Sequence, residues 1–372
     1  MAGEKKRPRG LKNSAMAKAN KKSKTEETNE FPENAQTIVI DKEVEEGDEL
    51  GETAALLESA LEKLETEPTE ALPLLRGTIH ESDRILRNWD SENPLPASFY
   101  YSYGTALYEL GRLTDDEEFE PYLDMAEERL LQSQGDVELK AKVDLVLAKI
   151  WFAKASNQVE QDIPELAVKA LAVADESVEN LPSKDVIDLA DIVQNHGALY
   201  TELEHRNKFL EWAEKHLKKI TKGKAIQSKN LKLTRESDEP ENARALSTFG
   251  LTKLQTAHYW LDNTNEEEEE EKTELSKEEE NAYKAILDCK LYLESAHKVL
   301  EQENKVTPQI LFDLAEIYVN EANLILNEQE QNEIYEKAVK TIKQSQSLID
   351  EKKLDDVLPE GLVAFLEEYE TL

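Results

Sequence analysis

The apolar residues of this chain recur every three or four positions almost from end to end, and that period decides its fold class. Ala282, Ile286, Cys289, Leu293, Ala296 and Leu300 are the clearest case, with successive spacings of 4, 3, 4, 3 and 4. Such spacing puts all six on one stripe of an α-helix, small and large side chains alternating as close helix packing requires. It also makes Cys289 a core residue rather than a reactive thiol. No alternating run of strand length stands out between the helical stretches. Glycine is scarce as well, 12 in 372 residues, under half the usual share of about 7%. The punctuation of sheets and phosphate loops is therefore thin.

The period predicts helices starting near Thr53 and over 69–86, 99–110, 119–131, 136–155, 164–178, 184–196, 199–220, 241–261, 277–301, 308–326, 330–349 and 358–368. Most connections are short, so neighbours should pair as antiparallel hairpins. The pairs share a weak repeat in which a bulky residue precedes a small one, with another bulky residue three on. Tyr103-Gly104 with Tyr100 and Leu107, Leu147-Ala148 with Trp151, and Leu314-Ala315 with Tyr318 fit it; Phe249-Gly250 fits the small position alone. Tyr122 with Ala126 and Tyr335 with Ala338 mark second helices. The fold expected is all-α, an α-α superhelix or solenoid of degenerate helix pairs. Tetratricopeptide-like and HEAT-like stacks are not separated by these residues. The expected division is a tail over 1–52, a helical domain over 53–181 and a helical-repeat domain over 182–372, parted near Leu181-Pro182.

Charge is the second constraint. There are 45 Lys and Arg against 80 Asp and Glu, a net of −35. The first 25 residues run the other way, at +8, so the rest of the chain carries −43. A body that negative repels phosphate backbones and acidic lipid heads, and direct nucleic-acid binding by it is not expected. Lys5, Lys6, Arg7 and Arg9, followed by Lys21, Lys22 and Lys24, have the layout of a bipartite nuclear import signal read by an import receptor; the rival reading is an RNA-contacting arm. Too few apolar residues accompany this tail to offset its ordering entropy, so disorder is expected. Within it, Thr37-Ile38-Val39-Ile40-Asp41 is β-prone and could dock on the chain's own core or add a strand to a partner's sheet. Six consecutive glutamates, Glu266 to Glu271, sit in the 263–276 connection. Like charges resist compaction, so a mobile loop is expected, an acidic cradle being the alternative.

Several chemistries are missing their residues. One cysteine excludes a disulfide framework and fits a reducing compartment. No apolar run reaches the length of a membrane span, and the start of the chain lacks a secretory apolar stretch. His80-Glu81 begins like a zinc-protease helix, but Arg84 stands where the second histidine would be. His196, His205, His216, His258 and His297 lack helical partners at ligand spacing, and no phosphate loop or nucleophile elbow appears. An enzyme is not expected. Glu81 with Arg84, and Asp83 with Arg87, have spacings that allow ion pairs within one helix. They read either as solvated salt bridges or as a fixed polar patch for a partner, together with His80.

The run Arg76-Gly77-Thr78-Ile79-His80-Glu81-Ser82-Asp83-Arg84-Ile85-Leu86-Arg87 resembles a stretch of the fungal enhancer-of-translation-termination family. Lys6-Arg7-Pro8-Arg9-Gly10-Leu11 is similar to that family's basic opening, and Leu145–Ile150 and Leu314–Tyr318 to its helical repeats. Ser82 departs from the cysteine expected at that place. The resemblance implies a nuclear, non-catalytic adaptor that binds and regulates a prolyl-hydroxylase-like dioxygenase, one dependent on 2-oxoglutarate and Fe(II). Oxygen-dependent degradation of a transcription factor, nuclear localisation of the dioxygenase and translation termination are the processes it would affect. Iron and 2-oxoglutarate would belong to the partner, with no cofactor or metal held by this chain. Localisation would be nuclear, the cytoplasm being a second compartment. An acidic chaperone or scaffold for basic nuclear or ribosomal proteins is the alternative.

Overall fold

The computed structural model describes residues 42, 44–64, 67–90, 92–114, 116–221, 242–264 and 274–369, with the backbone alone at 116–118. The basic tail, the 37–41 run and the hexaglutamate run lie outside the described residues. Those described form thirteen α-helices and one 3-10 turn, with no strand among them. The all-α class read from the apolar period is the one observed. The chain divides into two compact units: the described residues up to Lys154 with Ala172–Asn180, and Ala155–Leu171 with Leu181 onward.

In the first unit α1 (Glu49–Lys63) pairs with α2 (Pro68–Asn88), and α3 (Ala97–Arg112) with α4 (Asp116–Gln132). The tail expected over 1–52 gives way to helix at Glu49, for a local reason. Asp48 caps α1 by accepting from the Gly51 N–H at 2.9 Å, and two glutamates stand in the first turn, where the helix dipole favours them. Val44 packs with Leu56, Leu57, Leu74, Leu75 and Leu110 in the core beneath. Gly104 lets α3 lie against α4: a Cβ there would stand 2.6 Å from Leu130 Cγ and 3.0 Å from the Ala126 carbonyl oxygen. The small position of the repeat is thus set by backbone-to-backbone approach. Trp151, on α5 (Lys140–Ser156), is buried, and its indole N–H donates to Glu127 at 2.7 Å. Both α5 and α6 (Glu165–Ser177) give residues to each unit.

In the second unit α7 (Ser183–Ala198) pairs with α8 (Leu203–Ile220), α9 (Ala243–Asp262) with α10 (Lys277–Gln302), and α11 (Pro308–Asn323) with α12 (Glu328–Lys352); α13 (Glu360–Tyr369) packs on α11. Ser276 and Glu279 form a reciprocal capping box at the start of α10. The 282–300 stripe is the centre of the core of α9, α10 and α11, with Ala282, Ile286, Cys289, Leu293 and Ala296 fully buried and Leu300 partly so. Burial pushes the Cys289 thiol well above its ordinary pKa, keeping it protonated and inert. Some boundaries shift by a few residues from the period, as where α5 begins at Lys140 rather than 136 and α11 ends at Asn323 rather than 326. One shift has a visible cause. α8 begins at Leu203, not at Leu199, because residues 199–202 make the turn that Arg206 holds.

Arg206 is 7% exposed, and three backbone carbonyls surround it. Nη2 donates to Ala198 at 2.7 Å, Nε to Tyr200 at 3.1 Å and Nη1 to Gln255 at 3.1 Å. Its guanidinium carbon also lies 5.2 Å from the centre of the Tyr259 ring. One side chain therefore closes the end of α7, fixes the turn into α8 and ties both to α9.

Candidate partner-binding surface

The residues singled out by sequence fall on α2, whose buried face is Ala71, Leu74, Leu75, Thr78, Ser82 and Ile85. At about 100° per residue, Arg76, His80, Asp83 and Arg87 share one stripe on the opposite side, with Glu81 and Arg84 on its flank. The structure brings two of the five candidates, Asp83 and Arg84, into bonded contact with neighbouring helices. Arg84 Nε donates to Glu81 at 2.7 Å, as the spacing allowed, and Nη1 reaches Glu49 on α1 at 3.2 Å. Partial burial works against the charge on Arg84, but Glu81 and Glu49 outweigh it and raise its pKa. Glu52 lies in the same cluster. Its pKa is raised by burial first and then by Glu81, while Arg84 pulls it back.

Asp83 and Arg87 use their spacing differently. Arg87 Nε donates to the Asp83 backbone carbonyl at 3.1 Å. The Asp83 carboxylate instead accepts from the Tyr103 hydroxyl on α3. Burial, then that carboxylate, pushes the Tyr103 phenol up to about 12. The Arg129 guanidinium on α4 sits 5.3 Å from the centre of the Tyr103 ring. Polar contacts therefore run through α1, α2, α3 and α4, and they fix the α2 backbone against its neighbours.

His80 and Arg87 face outward, as does Arg76, which the sequence reading passed over. Its signal was available, four residues before His80 on the same stripe. Glu49, Tyr103 and Arg129 could not be found from α2 alone, since nothing local to that helix points to them. Trp89, just past the end of α2, is 38% exposed, with its indole N–H donating to the Asn93 carbonyl at 2.8 Å. Arginine and tryptophan are among the side chains that most often carry the binding energy of protein interfaces, and Arg76, Arg87 and Trp89 are all exposed. The import-signal residues Lys5, Lys6, Arg7, Arg9, Lys21, Lys22 and Lys24 lie outside the described residues.

Ser82 is fully buried, and among the described residues its hydroxyl has no hydrogen-bond partner. An unpaired buried hydroxyl costs about 1 kcal/mol or more. Ser82→Cys is therefore expected to raise stability by about 1 kcal/mol in urea unfolding followed by Trp89 and Trp151 fluorescence. A loss of stability would mean that the hydroxyl is in use.

Among the described residues no three His, Cys, Asp or Glu side chains are placed to hold a metal ion, and no helix is long and apolar enough to cross a membrane. Two curated relatives are similar in sequence. Enhancer of translation termination 1 of Candida albicans is 33% identical over 163 residues, covering 39% of this chain and 38% of that protein. The negative regulator of ofd1 of Schizosaccharomyces pombe is 35% identical over 121 residues, 29% of this chain and 30% of that one. The chain thus matches well under half the length of either. The solved structure of the S. pombe nuclear import adaptor Nro1 shares the fold, with a TM-score of 0.50 at 19% identity over 87% of this chain and 99% of that one. The model of the family described as nuclear pore complex subunit Nro1 matches residues 1–217 of the 372, more than half of the chain, and the chain belongs to that family.

Proposed function

We propose that this chain is a nuclear, non-catalytic adaptor that captures a prolyl-hydroxylase-like, 2-oxoglutarate- and Fe(II)-dependent dioxygenase on the outward stripe of α2 and regulates it. Nuclear entry is through the basic block of Lys5 to Lys24 and an import receptor. Through the dioxygenase, the adaptor acts on oxygen-dependent transcription-factor degradation or on translation termination. Family membership supports the nuclear adaptor role, as does the likeness to relatives described as a negative regulator of ofd1 and as an enhancer of translation termination. One observation carries the choice of surface. On a chain of net charge −35, the guanidinium groups of Arg76 and Arg87 face outward with the His80 imidazole between them, on a helix that polar contacts join to its neighbours. Such joining lowers the ordering cost of binding, and outward guanidinium groups steer an acidic partner surface.

The row separates into residues that bind and residues that hold. Arg76→Glu with Arg87→Glu should weaken co-precipitation of the purified dioxygenase by at least about tenfold, because two charge contacts reverse sign. Unfolding should be unchanged, as both side chains are exposed. Arg84→Ala should instead lower stability, since it leaves Glu49, Glu52 and Glu81 facing one another. Full capture by the doubly reversed chain would remove α2 from the contact.

A further inference from the structure

Asp83 and Arg87 stand four residues apart on α2, the spacing at which a carboxylate and a guanidinium on one helix pair with each other. Here the two charged groups stay apart. The Asp83 carboxylate is turned to α3, where it accepts from the Tyr103 hydroxyl. Arg87 touches Asp83 through the backbone, its Nε donating to the carbonyl at 3.1 Å. Arg87 is exposed, and among the described residues its Nη1 and Nη2 bond to nothing. That end of a guanidinium is a fork that takes a carboxylate in two parallel hydrogen bonds.

The hydroxyl that turns Asp83 inward is placed by its ring. Tyr103 is 1% exposed. Its ring lies 6.2 Å from that of Phe99 on the same helix, and the Arg129 guanidinium of α4 stands 5.3 Å from its centre. Burial, and then Asp83 itself, hold the phenol in its protonated form at neutral pH, so it stays a donor. A hydrogen bond to a half-buried carboxylate outweighs an exposed ion pair at this spacing. The donor is also neutral. Asp83 is therefore satisfied without cancelling the charge on Arg87.

We propose that Tyr103 is a positioning residue of the α2 surface: by holding the Asp83 carboxylate against α3, it keeps the Arg87 guanidinium free for a carboxylate of the partner protein. The consequence for capture rests on the α2 stripe being the contact surface. Without the hydroxyl, Asp83 loses its donor and turns to Arg87. An exposed pair four residues apart favours the paired form by about twofold, which leaves Arg87 free in about a third of the molecules.

Tyr103→Phe removes the hydroxyl and keeps the ring. The full chain is treated with phenylglyoxal, and the rate of Arg87 modification is followed by mass spectrometry, a readout that needs no partner. Tyr103→Phe should slow that rate about threefold. Adding Asp83→Asn should restore it, because a carboxamide does not draw the guanidinium; damage to packing alone would not be rescued in this way. Asp83→Asn by itself should leave the rate unchanged. Capture of the purified dioxygenase should follow the same order, about threefold weaker for Tyr103→Phe and restored in the double variant. An unaltered rate in Tyr103→Phe overturns the proposal, as does a slowing that Asp83→Asn fails to reverse. Full capture by the chain carrying Arg76→Glu and Arg87→Glu would instead count against the α2 surface, and the phenylglyoxal rates would still decide the role of Tyr103.

Discussion

Arg206→Met should destabilise the second unit by about 3–5 kcal/mol, the largest effect expected of any single substitution here. The three carbonyls that Arg206 satisfies belong to Ala198, Tyr200 and Gln255. Hydrogen bonds to a charged donor contribute about 1.5–3 kcal/mol each, and a carbonyl left unpaired in the interior costs its desolvation. Part of this is offset. Burial lowers the Arg206 pKa, so the folded chain already carries a penalty for the enclosed charge, and methionine removes it. The offset is incomplete because methionine fills the space without replacing any donor. Arg206→Lys separates the two contributions. It keeps the charge and loses the planar fork, so it can reach one or two carbonyls at most and should fall between the wild type and methionine. Urea unfolding followed by Trp212 and Trp260 fluorescence, both in the second unit, reads the change. A methionine variant within 1 kcal/mol of the wild type would show that the turn over 199–202 is held by something else.

Arg206 also shows what could be read from the sequence and what could not. The apolar period located the helices because burying one face of a helix imposes that period locally, whatever lies opposite. The 282–300 stripe and the small residues Gly104, Ala126, Ala148 and Ala315 were legible for this reason. An arginine among helical charges carries no such mark. Whether it is solvated, as Arg87 is, or enclosed, as Arg206 is, depends on which carbonyls the next helix presents 49 residues away. The α2 site divides along the same line. Glu81 with Arg84 was legible because both partners lie within one turn. Asp83 was not, because its partner Tyr103 comes from α3, and the local spacing to Arg87 pointed to an alternative that the fold does not use. The early start of α1 was hidden in a different way. Asp48 sits in an acidic stretch that reads as tail until one of its carboxylates is seen as a cap.

Two buried groups of the second unit should make its stability respond to pH in opposite directions. Burial lowers His196 from 6.5 to about 4. It lies against Phe209, with Nε2 2.8 Å from the Tyr200 hydroxyl and Nδ1 3.1 Å from Ser156 Oγ. Between the two values the unfolded chain takes up a proton that the folded chain refuses, so stability is lost as pH falls from about 6.5 to 4. Asp313, 8% exposed, does the reverse. Burial raises it from 3.8 to about 6, against a hydrogen bond from Gln309 at 2.7 Å that lowers it. The unfolded chain releases this proton first, so stability is lost as pH rises from about 3.8 to 6. Each shift is worth at most about 3 kcal/mol, and over the shared window the two slopes, each about 1.4 kcal/mol per pH unit, oppose one another. Substitution uncovers them. Asp313→Asn keeps an acceptor for Gln309 and loses the titration. Its stability relative to the wild type should be near zero below pH 4 and climb to as much as about 3 kcal/mol by pH 7. His196→Gln should lose stability at pH 7 and recover up to about 3 kcal/mol of that loss by pH 4, since it has no proton to refuse. Urea midpoints of both variants and the wild type across pH 4–7 give the two difference curves. Curves that are flat, or that slope the same way, would mean that neither group is held in the state its burial dictates.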